Sequence, residues 1–451
     1  MSSFEATLPQ PPASSETPFS YPVAQPAASS TPLAPRVVTP EQQEKIDRLI
    51  AHFNDPEFKL PTTLKELKQL WVSQGKEQGS RFGSLFGGTS TKPQPLDASA
   101  LHKLDEVEKC YWSSQAFQRC LRATKWDYAN AVKRAEETCV WRREFRVEQM
   151  QEADVTREGE TGKELVFGFD NDCRPVLYMH PYRQNTQTGP DQIAFVVWCL
   201  ERALDLAPAT DPATEMLCLC IDFGANLKDS KSQPTTLSQA RKVLEILQTY
   251  YCERLGKAIC VNIPPIFFTF YKLVSPFVDP VTKEKIRFIE GTADATSLIP
   301  AEQLQRIFGG SVNFEYDHST YFPALTKLCF ERKALHLERW KRFGGGLCGV
   351  DEAIIRGGKE PSGSSSSRTE EPSEVTTNQA ETATQEEEQV PTRQLEQVQL
   401  AKDESPEGTV VDTNEPTPGI ATSEGGGGDK FVDAPVATKD QINQAVPALS
   451  A

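Results

Sequence analysis

Residues 215–263 read EMLCLCIDFGANLKDSKSQPTTLSQARKVLEILQTYYCERLGKAICVNI. The run Glu215–Phe223 is apolar and of strand length, which predicts a buried strand. Pro234–Tyr251 carries Leu237, Ala240, Leu244, Leu247 and Tyr251 in helical register, and Ala258–Ile263 is again a strand. Strands alternating with helices imply an α/β sheet layered with helices. The pattern extends both ways. Leu165–Phe169 and Val176–Met179 flank the turn residues Asp170-Asn171-Asp172, which predicts a hairpin. Gln192–Leu206 and Pro265–Val274 read as helices, Lys285–Glu290 as a strand, and Ser319–Arg342 as a closing helix.

Upstream, the period is helical. Thr39, Pro40 and Gln42 spell a capping box, followed by Ile46, Leu49, Ile50 and Phe53 at helical spacing. Leu101–Glu108 and the segment around Phe117–Lys125 read as helices. Asp127 caps another that carries Tyr128, Val132, Ala135 and Cys139 on one face. Residues 72–97, rich in Gly, Ser, Lys and Pro, predict an excursion between helices. Four regions result: a Pro/Ser-rich stretch over 1–38, a helical lobe over 39–150, an α/β domain over 151–345 and an acidic tail over 346–451. The first and last are expected to be disordered, because their compositions bury too little apolar surface to offset ordering entropy.

Charge separates the tail from the rest. The 451 residues carry a net charge of -15, of which residues 351–451 hold -13, with 20 acids against 7 Lys/Arg. The remainder is near neutral, which argues against a nucleic-acid binder, since that needs a basic face. The 11 cysteines are an odd number, sit mostly in apolar runs and form no C-x-x-C pair. They read as buried free thiols of a reducing compartment. No signal peptide and no run of about 18 apolar residues is present. A soluble cytosolic protein is expected.

Signals of catalysis are missing. The sequence has no G-x-S-x-G, H-E-x-x-H or Walker A loop, and its 5 histidines are scattered. Gly344–Gly349 matches G-x-G-x-x-G but follows a helix and leads into the acidic tail, so the match is read as chance. Cys218 and Cys220 share a strand face and read as packing, with no second pair to complete a metal site. Glu136 and Glu137 read as a solvated helix face. Neither an enzyme nor a metal protein is indicated.

Three other stretches are specific: Arg119–Asp127 (RCLRATKWD), Tyr250–Lys257 (YYCERLGK) and Phe267–Ile286 (FFTFYKLVSPFVDPVTKEKI). In this order, with Ile299–Leu304 (IPAEQL) and Phe308-Gly309-Gly310, they resemble the CRAL-TRIO lipid-binding family. The hairpin Gly168–Tyr178 is similar to that of the fungal phosphatidylinositol transfer proteins linked to drug resistance. The resemblance covers roughly residues 40–340. It implies a helical N-terminal lobe followed by a mixed β-sheet whose helices enclose an apolar lipid cavity under a mobile gate helix.

Residues 265–277 fit the gate. Phe267, Phe268, Phe270, Tyr271, Leu273, Val274 and Phe277 lie around this helix, and Pro264, Pro265 and Pro276 bound it. Periodicity alone reads such a helix as simply buried. Carried over from the family, headgroup recognition falls to Lys125, Glu253, Thr282 and Lys285. Without the motif match, Glu253 would read as part of a helix end and Lys285 as a surface lysine. Two positions depart from the family: Thr124 stands where Arg is frequent, and Cys252 where Pro is. The hydroxyl residues expected for phosphatidylcholine are not evident around Ile221–Asp229.

The implied function is non-enzymatic, with no cofactor. The protein would extract phosphatidylinositol, shield it and exchange it for a second lipid, a sterol being one candidate. It would sit in the cytoplasm, visit endomembranes or lipid droplets peripherally, and present its cargo to lipid kinases. A sterol carrier or sensor, or a lipid-regulated scaffold of the same fold, is the alternative.

Overall fold

The computed structural model describes residues 4–12, 16–75, 96–187, 189–224, 237–263, 271–272, 275–278, 280–289 and 293–360, all within one compact unit. The helical lobe contains α1 (Pro40–Phe53), α2 (Leu64–Ser73), α3 (Glu106–Tyr111), α4 (Ser114–Ala123) and α5 (Tyr128–Phe145). Side chains start each of them. Thr39 and Gln42 close the capping box of α1, Thr63 and Glu66 that of α2, and Asp105 and Glu108 that of α3. Ser113 and Asp127 cap α4 and α5. Ile46, Leu49, Phe53, Trp112, Phe117 and Leu121 form the centre of this lobe's core. The helix expected over Leu101–Glu108 starts later. His102 instead exchanges backbone hydrogen bonds of 2.9 Å with Leu60, which holds Leu101–Leu104 extended up to the Asp105 cap.

The second part follows with α6 (Glu152–Gly159), β1 (Glu164–Phe169), β2 (Pro175–Met179), α7 (Pro190–Asp205), β3 (Leu217–Asp222), α8 (Leu237–Tyr250), β4 (Leu255–Val261), α9 (Pro280–Lys285), β5 (Ile286–Phe288), α10 (His318–Gly344) and α11 (Glu352–Arg356). The strands form one mixed sheet in the order β1-β2-β3-β4-β5, antiparallel between β1 and β2 and parallel thereafter. Asp170 makes the hairpin turn. Its Oδ1 accepts from the backbone N–H groups of Asp172 and Arg174, both at 2.9 Å. Gly168 has φ +68°, and a Cβ there would meet the Gln303 carbonyl oxygen at 2.2 Å, so only glycine lets the 299–312 segment pass this close.

Two expectations are corrected at the ends of the chain. In the stretch expected to be disordered over 1–38, the described residues pack as a strap on the α/β domain. Leu8, Phe19, Val23 and Ala24 are buried in its core. Phe19 donates its N–H to the Asn313 carbonyl at 2.9 Å and accepts from Glu315 N–H at 3.0 Å. Buried Arg332 pairs with Glu5 at 2.7 Å and also donates to the Ala24 carbonyl. Average composition hides these few anchors, each of which meets a specific slot. The tail, expected from 346, likewise begins too early. Cys348 joins the core of the helical lobe, and Glu352 on α11 is buried among arginines. Residues 361–451 lie outside the described residues.

The strap generates a stability test. Phe19→Ala removes a ring that is 5% exposed and is expected to destabilise the protein by about 3 kcal/mol in denaturant unfolding. Val37→Ala, at a side chain 93% exposed, is expected to change stability by less than about 0.5 kcal/mol. Equal, negligible effects would remove the strap from the fold.

Candidate functional site

Strand register sorts the sheet into two faces, since paired residues of adjacent strands share a side. One face carries Glu164 and Val166 of β1, Leu177 and Met179 of β2, Leu219 and Ile221 of β3, Ala258 and Cys260 of β4, and Ile286 and Phe288 of β5. The other carries Tyr178, Cys220 and Ile259, with Phe308 stacked on Tyr178 at 5.3 Å. Helix α7 packs on β1 and β2, and its Cys199 stands close enough to Glu164 to act on that carboxyl, which places it on the first face. That face is apolar apart from Glu164. Toward β5 it is less covered: Ile221, Ile286 and Phe288 are half-buried. The Tyr271 ring meets Phe288 edge-on at 5.4 Å. A half-covered apolar floor beside a helix-lined wall is the surface a lipid chain would complete.

Of the residues expected in the gate, Tyr271 and Phe277 are described. Phe267, Phe268, Phe270, Leu273 and Val274 lie outside the described residues. Tyr271 is half-buried on the floor, whereas Phe277 is 43% exposed under the Arg241 guanidinium, 4.1 Å from its ring centroid. Val281, one element on, is 52% exposed.

The four headgroup candidates fall into two neighbourhoods. Lys125 is exposed in the α4–α5 turn, where it and Trp126 both adopt left-handed backbone, with φ of 54° and 63°. Its N–H donates to the Arg122 carbonyl at 3.0 Å. Glu253, also left-handed at φ 60°, stands in the turn from α8 to β4. Its carboxylate lies 3.8 Å from Arg122 and 3.6 Å from Arg36 of the strap. Thr282 and Lys285 lie one turn apart on α9, both half-buried, and α9 packs on β4. At the departure from the family pattern, the Thr124 hydroxyl donates to the Cys120 and Leu121 carbonyls at 3.0 and 3.1 Å, closing α4.

Arg122 and Arg36 were not singled out in the sequence. Arg122 donates through Nη2 to Glu215 at 3.1 Å, while its buried Nε has no hydrogen-bond partner. The Glu253 carboxylate faces this Nε at 3.8 Å. The signal was present, since Arg119, Arg122 and Lys125 recur at a three-residue spacing. Arg36 carried none, being in a stretch expected to be disordered.

A second polar group ties the strand ends together. Asp222 accepts from Asn262 at 2.9 Å, Gly224 N–H at 2.9 Å and the Tyr182 hydroxyl at 3.2 Å, with His180 at 3.6 Å. Burial opposes ionisation of Asp222, but nearby His180 and the hydrogen bonds from Asn262 and Gly224 hold its carboxyl below the usual range. Burial also pushes the His180 imidazole down, toward the neutral form. Residues 225–229 of the Ile221–Asp229 stretch lie outside the described residues.

The CRAL/TRIO domain profile matches residues 159–310, the span from the end of α6 through the sheet to the segment crossing behind it. Phosphatidylinositol transfer protein PDR17 of Saccharomyces cerevisiae is 33% identical over 331 residues, covering 71% of this chain and 85% of that protein. The chain belongs to the CRAL-TRIO family. A CRAL-TRIO domain-containing protein of Schizosaccharomyces pombe is 39% identical over 350 residues, covering 74% of this chain but 34% of that longer one. SEC14 cytosolic factor of Kluyveromyces lactis is 32% identical over 257 residues, covering 50% of this chain and 82% of its own. The helical lobe and mixed sheet agree with the CRAL-TRIO architecture expected from the motifs. Among the described residues, no helix is long and apolar enough to cross a membrane.

Glu164 on the apolar face gives a pH test. Burial pushes its carboxyl up from 4.5 to about 8, and its Oε2 has no hydrogen-bond partner. A carboxyl whose folded pKa is raised costs nothing below its unfolded pKa, and its cost grows as pH rises toward the folded value. Wild type is therefore expected to lose stability relative to Glu164→Gln between pH 4.5 and about 8. The two should converge below that window. Parallel unfolding profiles across it would show that Glu164 is ionised in the fold.

Proposed function

We propose that this CRAL-TRIO protein is a non-enzymatic phosphatidylinositol carrier. It extracts the lipid from a membrane, shields it on the apolar sheet face and exchanges it for a second lipid. The observation that carries the reading is the half-covered floor of Ile221, Ile286 and Phe288, flanked by cationic and hydroxyl side chains on α9. The similarity to PDR17, a phosphatidylinositol transfer protein by name, supports it. A phospholipid has about 30 acyl methylenes, each worth about 0.8 kcal/mol out of water, so escape into solution is steeply uphill. A carrier needs only a matching apolar surface, headgroup ligands and a mouth that opens at the membrane. Covalent chemistry is not required.

Lys125 and Lys285 donate to phosphate oxygens in this reading, and Thr282 adds a hydroxyl donor. Glu253 accepts from inositol hydroxyls while keeping its guanidinium neighbours, since a carboxylate offers about four lone-pair sites. Arg122, beside Glu253 at 3.8 Å, holds that carboxylate in place. Acyl burial supplies most of the affinity, and the polar groups select the headgroup. Contact with endomembranes or lipid droplets is peripheral, and the carried lipid is available to kinases.

Transfer of labelled phosphatidylinositol between vesicles tests this directly. One charge-assisted hydrogen bond is worth about 1.5–3 kcal/mol, so Lys285→Ala is expected to lower transfer at least tenfold while the protein stays folded. Undiminished transfer by Lys285→Ala would dismiss the headgroup assignment. Absence of transfer by wild type would dismiss the carrier.

A further inference from the structure

A cavity of about 390 Å³ lies between the helical lobe, α7, α10 and α11. That is the size of a small-molecule site. Ile221, Ile286 and Phe288 of the floor take no part in its lining. Among the described residues, the lining carries five cations, Arg142, Arg202, Arg254, Lys333 and Arg356, against four carboxylates, Glu148, Glu201, Asp205 and Glu352. Four of the cations account for all four carboxylates. Arg142 pairs with Glu201 at 2.8 Å and also with Glu148, which Lys333 holds from the other side. Arg202 pairs with Asp205 and Arg356 with Glu352, both at 2.7 Å. The cation left over is Arg254.

Arg254 is 7% exposed. Its one hydrogen bond runs from Nη1 to the Glu215 carbonyl at 2.8 Å. The one carboxylate within ion-pair range is Glu352, 3.8 Å from the same nitrogen and already engaged by Arg119 at 3.1 Å. Nε and Nη2 meet no acceptor among the described residues. A buried guanidinium in this state is costly unless an anion completes it. Burial, and then the Arg119 cation, accordingly push Arg254 down, whereas at Arg142 the carboxylates outweigh burial and push it up. His336 also lines the cavity. Burial, then Arg356 and Arg332, push its imidazole down to about 3, so it is neutral and leaves the charge count unchanged. Leu204, Phe330, Leu337 and Ile355 give the cavity an apolar wall.

We propose that this cavity is a ligand site of its own, for a small monocarboxylate with an aliphatic body. The carboxylate lies against the open edge of Arg254, and the body lies along Leu204, Phe330, Leu337 and Ile355. One negative charge balances the one unmatched cation, which a dianionic phosphate would overshoot. A guanidinium edge offers a carboxylate two parallel N–H donors. Arg254 follows Glu253 in the α8–β4 turn, so this site and a headgroup candidate share one turn. An effect of occupancy on lipid exchange rests on the proposed function, whereas the binding does not.

The test is calorimetric titration of the purified full chain with sodium octanoate at pH 7. One site is expected, at least ~tenfold tighter than for 1-octanol, since the charge-assisted contact is the difference between them. Arg254→Gln is expected to weaken octanoate at least ~tenfold. That change touches a buried network, so a second variant blocks the cavity without removing a charge: Ala334→Trp, at an exposed position of the lining, is expected to weaken binding as well. Wild type alone locates the site. Octanoic acid with a terminal diazirine, photolysed on the chain, is expected to label the tryptic peptides 328–332 and 334–339 of α10. No binding by wild type at millimolar octanoate, equal affinity for octanol, tighter binding of octyl phosphate, or labelling confined to the β4–β5 end of the sheet would each overturn the proposal.

Discussion

The apolar face of the mixed sheet must be kept from water, and the covering elements are arranged around that need. Its row of side chains runs from Val166 through Leu177, Leu219 and Ala258 to Ile286 and Phe288. Helix α7 seals the β1–β2 half. Fully burying a side chain such as Ile221 or Phe288 is worth about 1.5–3 kcal/mol, so the half-covered end favours an apolar guest. Among the described residues, the opposite face shows no such half-covered apolar row. Phe308 and the 299–312 segment press on it closely enough to demand glycine at position 168. In the proposed carrier the lipid would lie on the first face.

Buried ion pairs hold the lobe and the sheet domain together beside that floor. Glu352 accepts from Arg119 at 3.1 Å and Arg356 at 2.7 Å, with Arg254 at 3.8 Å. Burial opposes its ionisation, yet the three guanidiniums hold its carboxyl well below the usual range. Glu201 accepts from Arg142 at 2.8 Å and from the Tyr251 hydroxyl at 2.6 Å. Removing one member of such a network strands a buried charge, at a cost of about 3–5 kcal/mol. These contacts orient α4 against the α8–β4 turn, and so set Arg122, Lys125 and Glu253 in one neighbourhood.

Much of this was legible in the sequence because local rules and global fold agree. The caps at Thr39 and Asp127, the hairpin at Asp170 and the strand around Cys218 and Cys220 follow from short-range chemistry. What escaped depends on contacts far apart in sequence. Glu5 is read correctly only once Arg332 is beside it, and Glu352 only once three arginines surround it. In a composition average, both belong to polar tails. Candidate site residues divide in the same way. The motifs point to Lys125, Glu253, Thr282 and Lys285 as candidates, whereas the approach of Arg122 and Arg36 to Glu253 needs tertiary structure.

Organic extraction of the purified full chain, with lipids identified and counted by mass spectrometry, tests the central claim most directly. The apolar floor and its headgroup neighbourhoods predict phosphatidylinositol approaching one molecule per chain, retained through purification. A chain that carries no lipid, or only a sterol, would contradict the phosphatidylinositol carrier.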